Sequence, residues 1–252
     1  MSKELDFATS LARQAGVMMK MNFVGGMAKE WKEDTTPLTV TDTAINELVL
    51  KAAQEEYPTY SFIGEEGSRE IESEYAWVCD PIDGTVPFSF GYPTFAFSLA
   101  LTKNGESILG VIYDPIMDRM LTAVKGEGAF MGGKRIAVSE DATLSRQVLI
   151  GMNSSRDLQK LRSALSNGDC RLPTLYSCVY GGMLVALGEF GAAIYPYDKA
   201  WDAAAVKIIV EEAGGKVTSI SGDEQRYDRT INGFVASNGL IHDELVRLLA
   251  DQ

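Results

Sequence analysis

Apolar residues recur at helical spacing in two early segments, first Leu5, Ala8, Leu11, Ala12, Ala15, Met18 and Met19, then Ile45, Leu48, Val49, Ala52 and Ala53. This periodicity predicts two amphipathic helices. The polar stretch between them, Trp31 to Asp42, predicts a loop ending at the second helix's N-cap, with Thr41 or Asp42 accepting backbone N–H groups. Pro58 and the charged run from Gly64 to Glu74 predict the end of that helix and a loop, followed by an apolar strand at Ala76 to Cys79. From Phe95 the pattern turns strand-like, in Phe95–Thr102, Ser107–Tyr113, Arg119–Val124 and Arg135–Val138. Asn104-Gly105, Asp114-Pro115, Gly126 and Gly132-Gly133 punctuate it, which predicts a largely antiparallel sheet. Beyond residue 140, strands near Val148, Ala193 and Phe234 alternate with helices near Leu158, Leu184, Val206 and Leu245. The expectation is one domain over 1–252 with lobes at roughly 1–140 and 141–252.

Composition narrows the classes of partner. At 252 residues and 46% hydrophobic the chain can bury a large core, and its net charge of −12 repels nucleic-acid backbones and anionic membranes. The most apolar window, Val179 to Tyr195, contains Glu189 and several glycines, so it predicts a buried helix followed by a strand rather than a membrane span. Cys79, Cys170 and Cys178 form no disulfide framework and show no zinc-type spacing. With a charged start and no apolar export segment, these thiols predict a cytoplasmic location.

Candidate chemistry concentrates in Trp77-Val78-Cys79-Asp80-Pro81-Ile82-Asp83-Gly84-Thr85. Asp80 and Asp83 offer hard oxygen ligands of the kind Mg²⁺ takes, and Pro81 fixes φ in a turn between them. Gly84 allows close approach of a ligand, and a helix starting at Thr85 would turn free N–H groups toward an anion. Cys79 should point away from Asp80 on an alternating strand and act as a small buried apolar residue. The three-residue spacing of the aspartates differs from the Asp-x-Asp of haloacid dehalogenase-type phosphatases, which argues against an aspartyl-phosphate intermediate. His242 is the only histidine and lies at the polar start of the last helix, so catalysis by histidine is not expected.

Gly64-Glu65-Glu66, Asp80-Pro81-Ile82-Asp83-Gly84-Thr85 and Trp201-Asp202-Ala203-Ala204, in this order and at these separations, resemble the inositol monophosphatase family of Mg²⁺-dependent, lithium-sensitive phosphatases. Gly110-Val111-Ile112-Tyr113, Gly126-Glu127-Gly128-Ala129-Phe130 and Glu212-Ala213-Gly214-Gly215 extend the resemblance over nearly the whole chain. The resemblance implies a five-layer αβαβα sandwich of mixed α/β type, shared with fructose-1,6-bisphosphatase, and a homodimer. It implies that Glu65, Asp80 and the Ile82 carbonyl hold one metal ion, that Asp80, Asp83 and Asp202 hold a second, and that a third sits beside Glu65. Gly84 and Thr85 amides would bind phosphate with help from Lys32, while Asp42 and Thr85 would orient and deprotonate the attacking water. Mn²⁺ would substitute for Mg²⁺, and Li⁺ and Ca²⁺ would inhibit. An all-oxygen ligand set fits Mg²⁺ better than zinc.

Two departures bear on the substrate. Val86-Pro87-Phe88 follows the Gly-Thr pair where the family usually has Thr-Asn-Phe, and Tyr195 stands where inositol-selective members place a glutamate. The loop Asp34 to Asp42 looks more like that of relatives acting on histidinol phosphate or adenosine bisphosphates. Tyr176, Ser177, Cys178 and Tyr195 to Lys199 would then line the leaving-group pocket. A rival reading from another class is a binding or regulatory protein that keeps the scaffold but turns over poorly.

Overall fold

The computed structural model of the chain describes residues 2–23, 29–31, 37–153, 158–167, 170–197 and 199–250. The two amphipathic segments form α1, Lys3–Asn22, and α2, Val40–Glu56. Between them β1, Glu30–Trp31, pairs antiparallel with β2, Pro37–Leu38. The expected capping at the start of α2 is borne out for Asp42 and not for Thr41. Thr39 is the N-cap, its hydroxyl accepting from the Thr41 N–H at 3.3 Å, and Asp42 reaches back from the third helical position to accept the Thr39 N–H at 2.9 Å. This is a capping box, so Asp42 ends a helix and faces the site at once.

Seven strands build the first sheet in chain order: β3, Ser61–Gly64; β4, Tyr75–Asp83; β5, Ala96–Lys103; β6, Glu106–Asp114; β7, Arg119–Val124; β8, Gly128–Met131; and β9, Lys134–Arg135. A short helix, α3, Thr85–Phe90, lies between β4 and β5. All its pairs are antiparallel except β3 with β4. The strands β3 and β8 were not expected, because four residues are too few to show alternation against charged or glycine-rich surroundings. The strand expected over 135–138 shrinks to Lys134–Arg135, since the Val138 N–H turns to the Ala213 carbonyl at 3.1 Å and leaves the sheet.

The second half contributes β10, Ile150–Met152; α4, Gln159–Asn167; α5, Cys178–Ala186; β11, Ala192–Tyr195; α6, Ala200–Glu212; β12, Lys216–Thr218; β13, Phe234–Ser237; and α7, His242–Ala250. Its four strands order as β10-β11-β13-β12. Here β12 is the strand the sequence pattern did not reveal. Helices α1 and α2 cover one face of the large sheet, α5 and α6 lie between the two sheets, and α4 and α7 cover the far side of the small one. The five layers αβαβα are thus in place. Among the described residues no helix is long and apolar enough to cross a membrane.

Burial on two sides explains the composition of the middle layer. In α6 Ala203, Ala204, Ala205, Val206, Ile208, Ile209 and Val210 are all buried, as a helix between two sheets requires. The sheet beneath it presents small side chains on that face. On β5, Ala96 and Ala100 pack toward α5 and α6, while Phe97, Leu99 and Leu101 fill the core under α1 and α2. Small residues let the helix lie close to the strands, and that closeness brings the N-terminal turns of α5 and α6 up to the end of β4.

Candidate active site

The expected turn at Asp80-Pro81-Ile82-Asp83 is corrected: these residues continue β4 and contain a β-bulge. Asp80 is opposite Ser98 and Asp83 opposite Ala96, so three steps on β4 match two on β5. Regular alternation would send residues i and i+3 to opposite faces, and the extra residue rephases the strand. Both aspartates therefore share the face of Val78, Ala96 and Ala100, whereas Cys79 and Ile82 join the opposite core. Pro81 lacks an N–H and sits at the bulge, where no ladder hydrogen bond is required of it.

The two carboxylates have different surroundings. Asp83 meets the start of α5: its oxygens accept the Cys178 N–H and thiol at 3.1 and 3.0 Å, the Val179 and Tyr180 N–H groups at 3.1 and 3.4 Å, and the Ser177 hydroxyl. An anion there is favoured by the helix dipole and its unsatisfied amides. Burial pushes the Asp83 carboxyl up, and the Cys178 and Ser177 hydrogen bonds oppose that rise. Asp80 has no such donors. It is 2% exposed, and its Oδ1 is buried without a hydrogen-bond partner. Burial first, then the neighbouring Glu65, Asp83, Asp202 and Asp42, hold its carboxyl well above the usual carboxylate range.

These carboxylates gather around a cavity of about 350 Å³ at the end of β4. Glu65 follows β3 and donates its own N–H to the Cys79 carbonyl at 3.2 Å, which ties the two ends together. Asp202 lies in the first turn of α6 at the third helical position. Lys199 is the N-cap, and its N–H donates to Asp202 Oδ2 at 2.5 Å. Oxygens of Asp83 and Asp202 and the Cys178 sulfur lie within 4.8 Å of one another, close enough to share an ion. The sulfur is a neighbour that the sequence reading did not place beside these oxygens. Among the described residues Lys199 is the one basic side chain lining the cavity.

Divalent cations fit this arrangement. A buried carboxylate oxygen with no donor, set among four further acids, costs free energy that a hard cation removes. Asp80 thus has room for a ligand. Asp83, by contrast, must share or release one of its present donors to bind an ion, because a carboxylate offers about four acceptor sites and five donors already reach it.

On the other side of Asp80, Asp42 Oδ1 accepts the Thr85 hydroxyl at 3.2 Å, and the same hydroxyl lies 3.1 Å from the Ile82 carbonyl oxygen. Thr39 Oγ1 donates to Asp42 Oδ2 at 2.5 Å. Asp42 is fully buried, and burial is the main reason its carboxyl is pushed up to about 6, with hydrogen bonds from Thr39 and Thr85 acting against it. Gly84 is the N-cap of α3 at φ +86; a Cβ there would come within 2.8 Å of the Thr94 carbonyl oxygen and 2.9 Å of Ser177 Cβ. That position accepts no side chain without displacement.

The remaining expected residues are placed as follows. Ser177 is the N-cap of α5 and lines the cavity, its hydroxyl engaged by Asp83 and the Tyr180 N–H. Tyr195 also borders the cavity but is 2% exposed, and its hydroxyl donates to the Ser177 carbonyl at 3.1 Å. Tyr176, Cys178, Tyr197 and Lys199 line the same wall. Asn153 and Trp201 line it too and were not singled out for it by sequence reasoning. Lys32 and the loop 32–36 lie outside the described residues, as does Asp198.

Comparison with known proteins identifies the family. A model of the inositol monophosphatase family matches residues 1–252. Inositol monophosphatase 2 of Solanum lycopersicum is 32% identical over 99% of this chain and 98% of its own. The fructose-1,6-bisphosphatase/inositol-1-monophosphatase of Thermotoga maritima is 34% identical over 97% and 95%. A solved structure of a Thermotoga maritima IMPase superposes with a TM-score of 0.91 at 33% identity, covering 99% of this chain and 98% of that one. With residues 1–252 matched by the family model and its layers matched by a solved structure, the chain belongs to the inositol monophosphatase family and is a phosphoric monoester hydrolase.

Proposed function

We propose that the protein hydrolyses a small-molecule phosphate monoester with water, releasing an alcohol and inorganic phosphate, and that Mg²⁺ bound by the acidic cluster is required. The observation that carries this reading is Asp80 Oδ1, buried and unpartnered among acids at the floor of the cavity. Glu65, Asp80 and the Ile82 carbonyl would hold one ion, and Asp80, Asp83 and Asp202 a second, with a third beside Glu65. Bound there, Mg²⁺ would polarise the phosphoryl oxygens and acidify a water molecule.

The chain's own groups supply position and proton handling. Asp42 and Thr85 orient the attacking water, and Asp42, through Thr85, draws off its proton; Glu65 assists from the opposite bank. The backbone amides of Gly84 and Thr85 receive the phosphate, with Lys32 neutralising it. Ser177 fixes the rim by capping α5, and Tyr195 holds the wall through its hydrogen bond to Ser177. In this reading the enzyme is a cytoplasmic homodimer, takes Mn²⁺ in place of Mg²⁺ and is inhibited by Li⁺ and Ca²⁺. The candidate substrates are inositol 1-phosphate, histidinol phosphate and adenosine bisphosphates.

Phosphate release from an aryl phosphate with and without Mg²⁺ tests the reaction, and a panel of inositol, histidinol, sugar and nucleotide phosphates tests the leaving group. Turnover that ignores chelation of Mg²⁺ refutes the metal reading. Absence of turnover on the whole panel favours a binding scaffold.

A further inference from the structure

Two tyrosines at the rim of the cavity hold a backbone conformation that tyrosine ordinarily avoids. Among the described residues four that are not glycine have positive φ: Asn104, Asp118, Tyr176 and Tyr197. Asn104 and Asp118 sit in the β5–β6 and β6–β7 turns, and their short polar side chains suit that region. Tyr176 at φ +56 and Tyr197 at φ +73 have no such excuse. Burial does not compensate them either, since their exposures are 56% and 53%.

Separate parts of the fold enforce the two conformations. Next to Tyr176, the Leu175 carbonyl accepts the Thr94 hydroxyl at 3.1 Å, and Ser177 is fixed to Asp83. Beside Tyr197, Gly233 comes so close that a Cβ on it would lie 2.4 Å from the Tyr195 carbonyl oxygen and 2.7 Å from the Tyr197 nitrogen. What the two tyrosines share is the cavity that Asp80, Asp83 and Asp202 also line. Backbone strain held from two directions around one cavity marks a functional rim.

We infer that Tyr176 and Tyr197 form an aromatic grip for the leaving group, so that the substrate class is a phosphate monoester whose alcohol carries a flat aromatic ring. The inference rests on the phosphatase reading above and narrows it. A polyhydroxylated ring needs side-chain acceptors and donors outside the metal cluster. Among the described lining residues these are Asn153, Lys199, the Trp201 indole N–H and the hydroxyl tips of Tyr176 and Tyr197 themselves, because the Tyr195 hydroxyl is committed to the Ser177 carbonyl. Aromatic surface, by contrast, is plentiful: Tyr176 and Tyr197, with Trp201 beside them. Stacking of a heteroaromatic base on such a ring is worth about 1–3 kcal/mol, which is about fivefold to 150-fold in affinity.

The test compares wild type, Tyr176→Gly, Tyr197→Gly and the matching Phe variants with Mg²⁺ on adenosine 3′-monophosphate, inositol 1-phosphate and glycerol 2-phosphate. Adenosine binding is followed separately by calorimetry. Wild type should prefer the adenosine ester. Each Gly variant should lower the ratio of its kcat/KM for the adenosine ester to that for glycerol 2-phosphate by about fivefold or more, weaken adenosine binding, and melt no lower than wild type because the strained φ is relieved. The Phe variants should keep the preference. Better turnover of inositol 1-phosphate by wild type, or an equal loss on all three esters in the Gly variants, overturns the aromatic grip while leaving the phosphatase reading intact. Adenosine binding that depends on the tyrosines, without turnover of any ester, keeps the grip and overturns the phosphatase reading.

Discussion

The Thr85 hydroxyl lies 3.2 Å from Asp42 Oδ1, joining the first turn of α2 to the first turn of α3. Burial pushes the Asp42 carboxyl up to about 6. If Asp42 draws off the proton of the attacking water, kcat/KM rises with pH through about 6 as it ionises. Asp42→Asn should lower kcat by about 10²–10⁴ and remove that limb from the pH–rate profile. The stability sign is the reverse of an ordinary salt-bridged acid. A folded carboxyl raised above its ordinary 3.8 opposes folding progressively from pH 4 to 6, so the Asn variant should gain stability over wild type above pH 6. An unchanged profile in the variant would remove Asp42 from proton transfer.

Asp80→Asn separates binding from folding. The amide removes a buried charge from among other acids, so without metal the variant should melt as high as wild type or ~2–4 °C higher, the equivalent of about 1 kcal/mol. With Mg²⁺ at about 100 times its Kd, wild type should gain about 2.7 kcal/mol and the variant almost none. Differential scanning calorimetry with and without Mg²⁺ reads both numbers. Equal Mg²⁺ stabilisation of both proteins would show that Asp80 is not a ligand.

The Cys178 sulfur belongs to the same ligand-sized group as Asp83 and Asp202. Soft cations prefer thiolate, so Cd²⁺ should bind there and displace the thiol proton that now reaches Asp83 Oδ1. The expected signature is the ultraviolet charge-transfer band of a Cd²⁺–thiolate, present in wild type and absent in Cys178→Ser. A band that persists in the variant places Cd²⁺ elsewhere.

His242 gives an acid limit to stability that is independent of the site. Thr218 Oγ1 donates to the Ser219 carbonyl at 2.9 Å, so it must accept from Nε2, 2.9 Å away; Ser237 Oγ then donates to Nδ1 at 2.8 Å. The ring is therefore neutral with its proton on Nε2, and burial lowers its pKa to about 4. A histidine depressed on folding stabilises fully above its unfolded value near 6.5, and that contribution is lost as pH falls through the interval down to 4. Imidazole ¹⁵N shifts should report the Nε2–H tautomer at pH 7, and melting temperatures should decline from pH 6.5 toward 4. A ring that titrates near 6.5 would refute the assignment.

Gly84→Ala should destabilise by at least about 1–2 kcal/mol from its left-handed φ alone, with more from the contacts a Cβ would meet. Phosphate affinity should fall with it. A variant that melts and binds phosphate like wild type would show that the α3 entrance adapts.

Helices α1 and α2 and the long strands were legible because each repeats its period over enough residues to be seen, and α5 and α6 because each is a long apolar run buried on all sides. The short strands β3, β8 and β12 were not, since they lie among charged or glycine-rich residues and their pairing comes from neighbours distant in sequence. Asp80, Asp83, Glu65 and Asp202 could be named as candidates because each stands in a motif. What the motifs do not carry is how the carboxylates are filled. Nothing near Asp83 in the chain announces that five donors from Ser177 to Tyr180 converge on it, or that Cys178 places sulfur there. The strained φ of Tyr176 and Tyr197 is likewise invisible in residue types, because tyrosine gives no local signal for that conformation.

The bulge at Pro81 and Ile82 makes the large sheet a ruler for the chemistry. Because Asp80 and Asp83 face Ser98 and Ala96, the sheet spaces them by two residues of β5, about 7 Å along the strand. Ile82, within the bulge, has no partner residue on β5, and its carbonyl accepts the Thr85 hydroxyl. Two carboxylates and one carbonyl thus owe their places to a single backbone irregularity rather than to three separate side-chain choices. They should be gained, lost or transplanted together: a graft onto another sheet would have to move the bulge itself, and copying the aspartates alone would leave one of them on the wrong side.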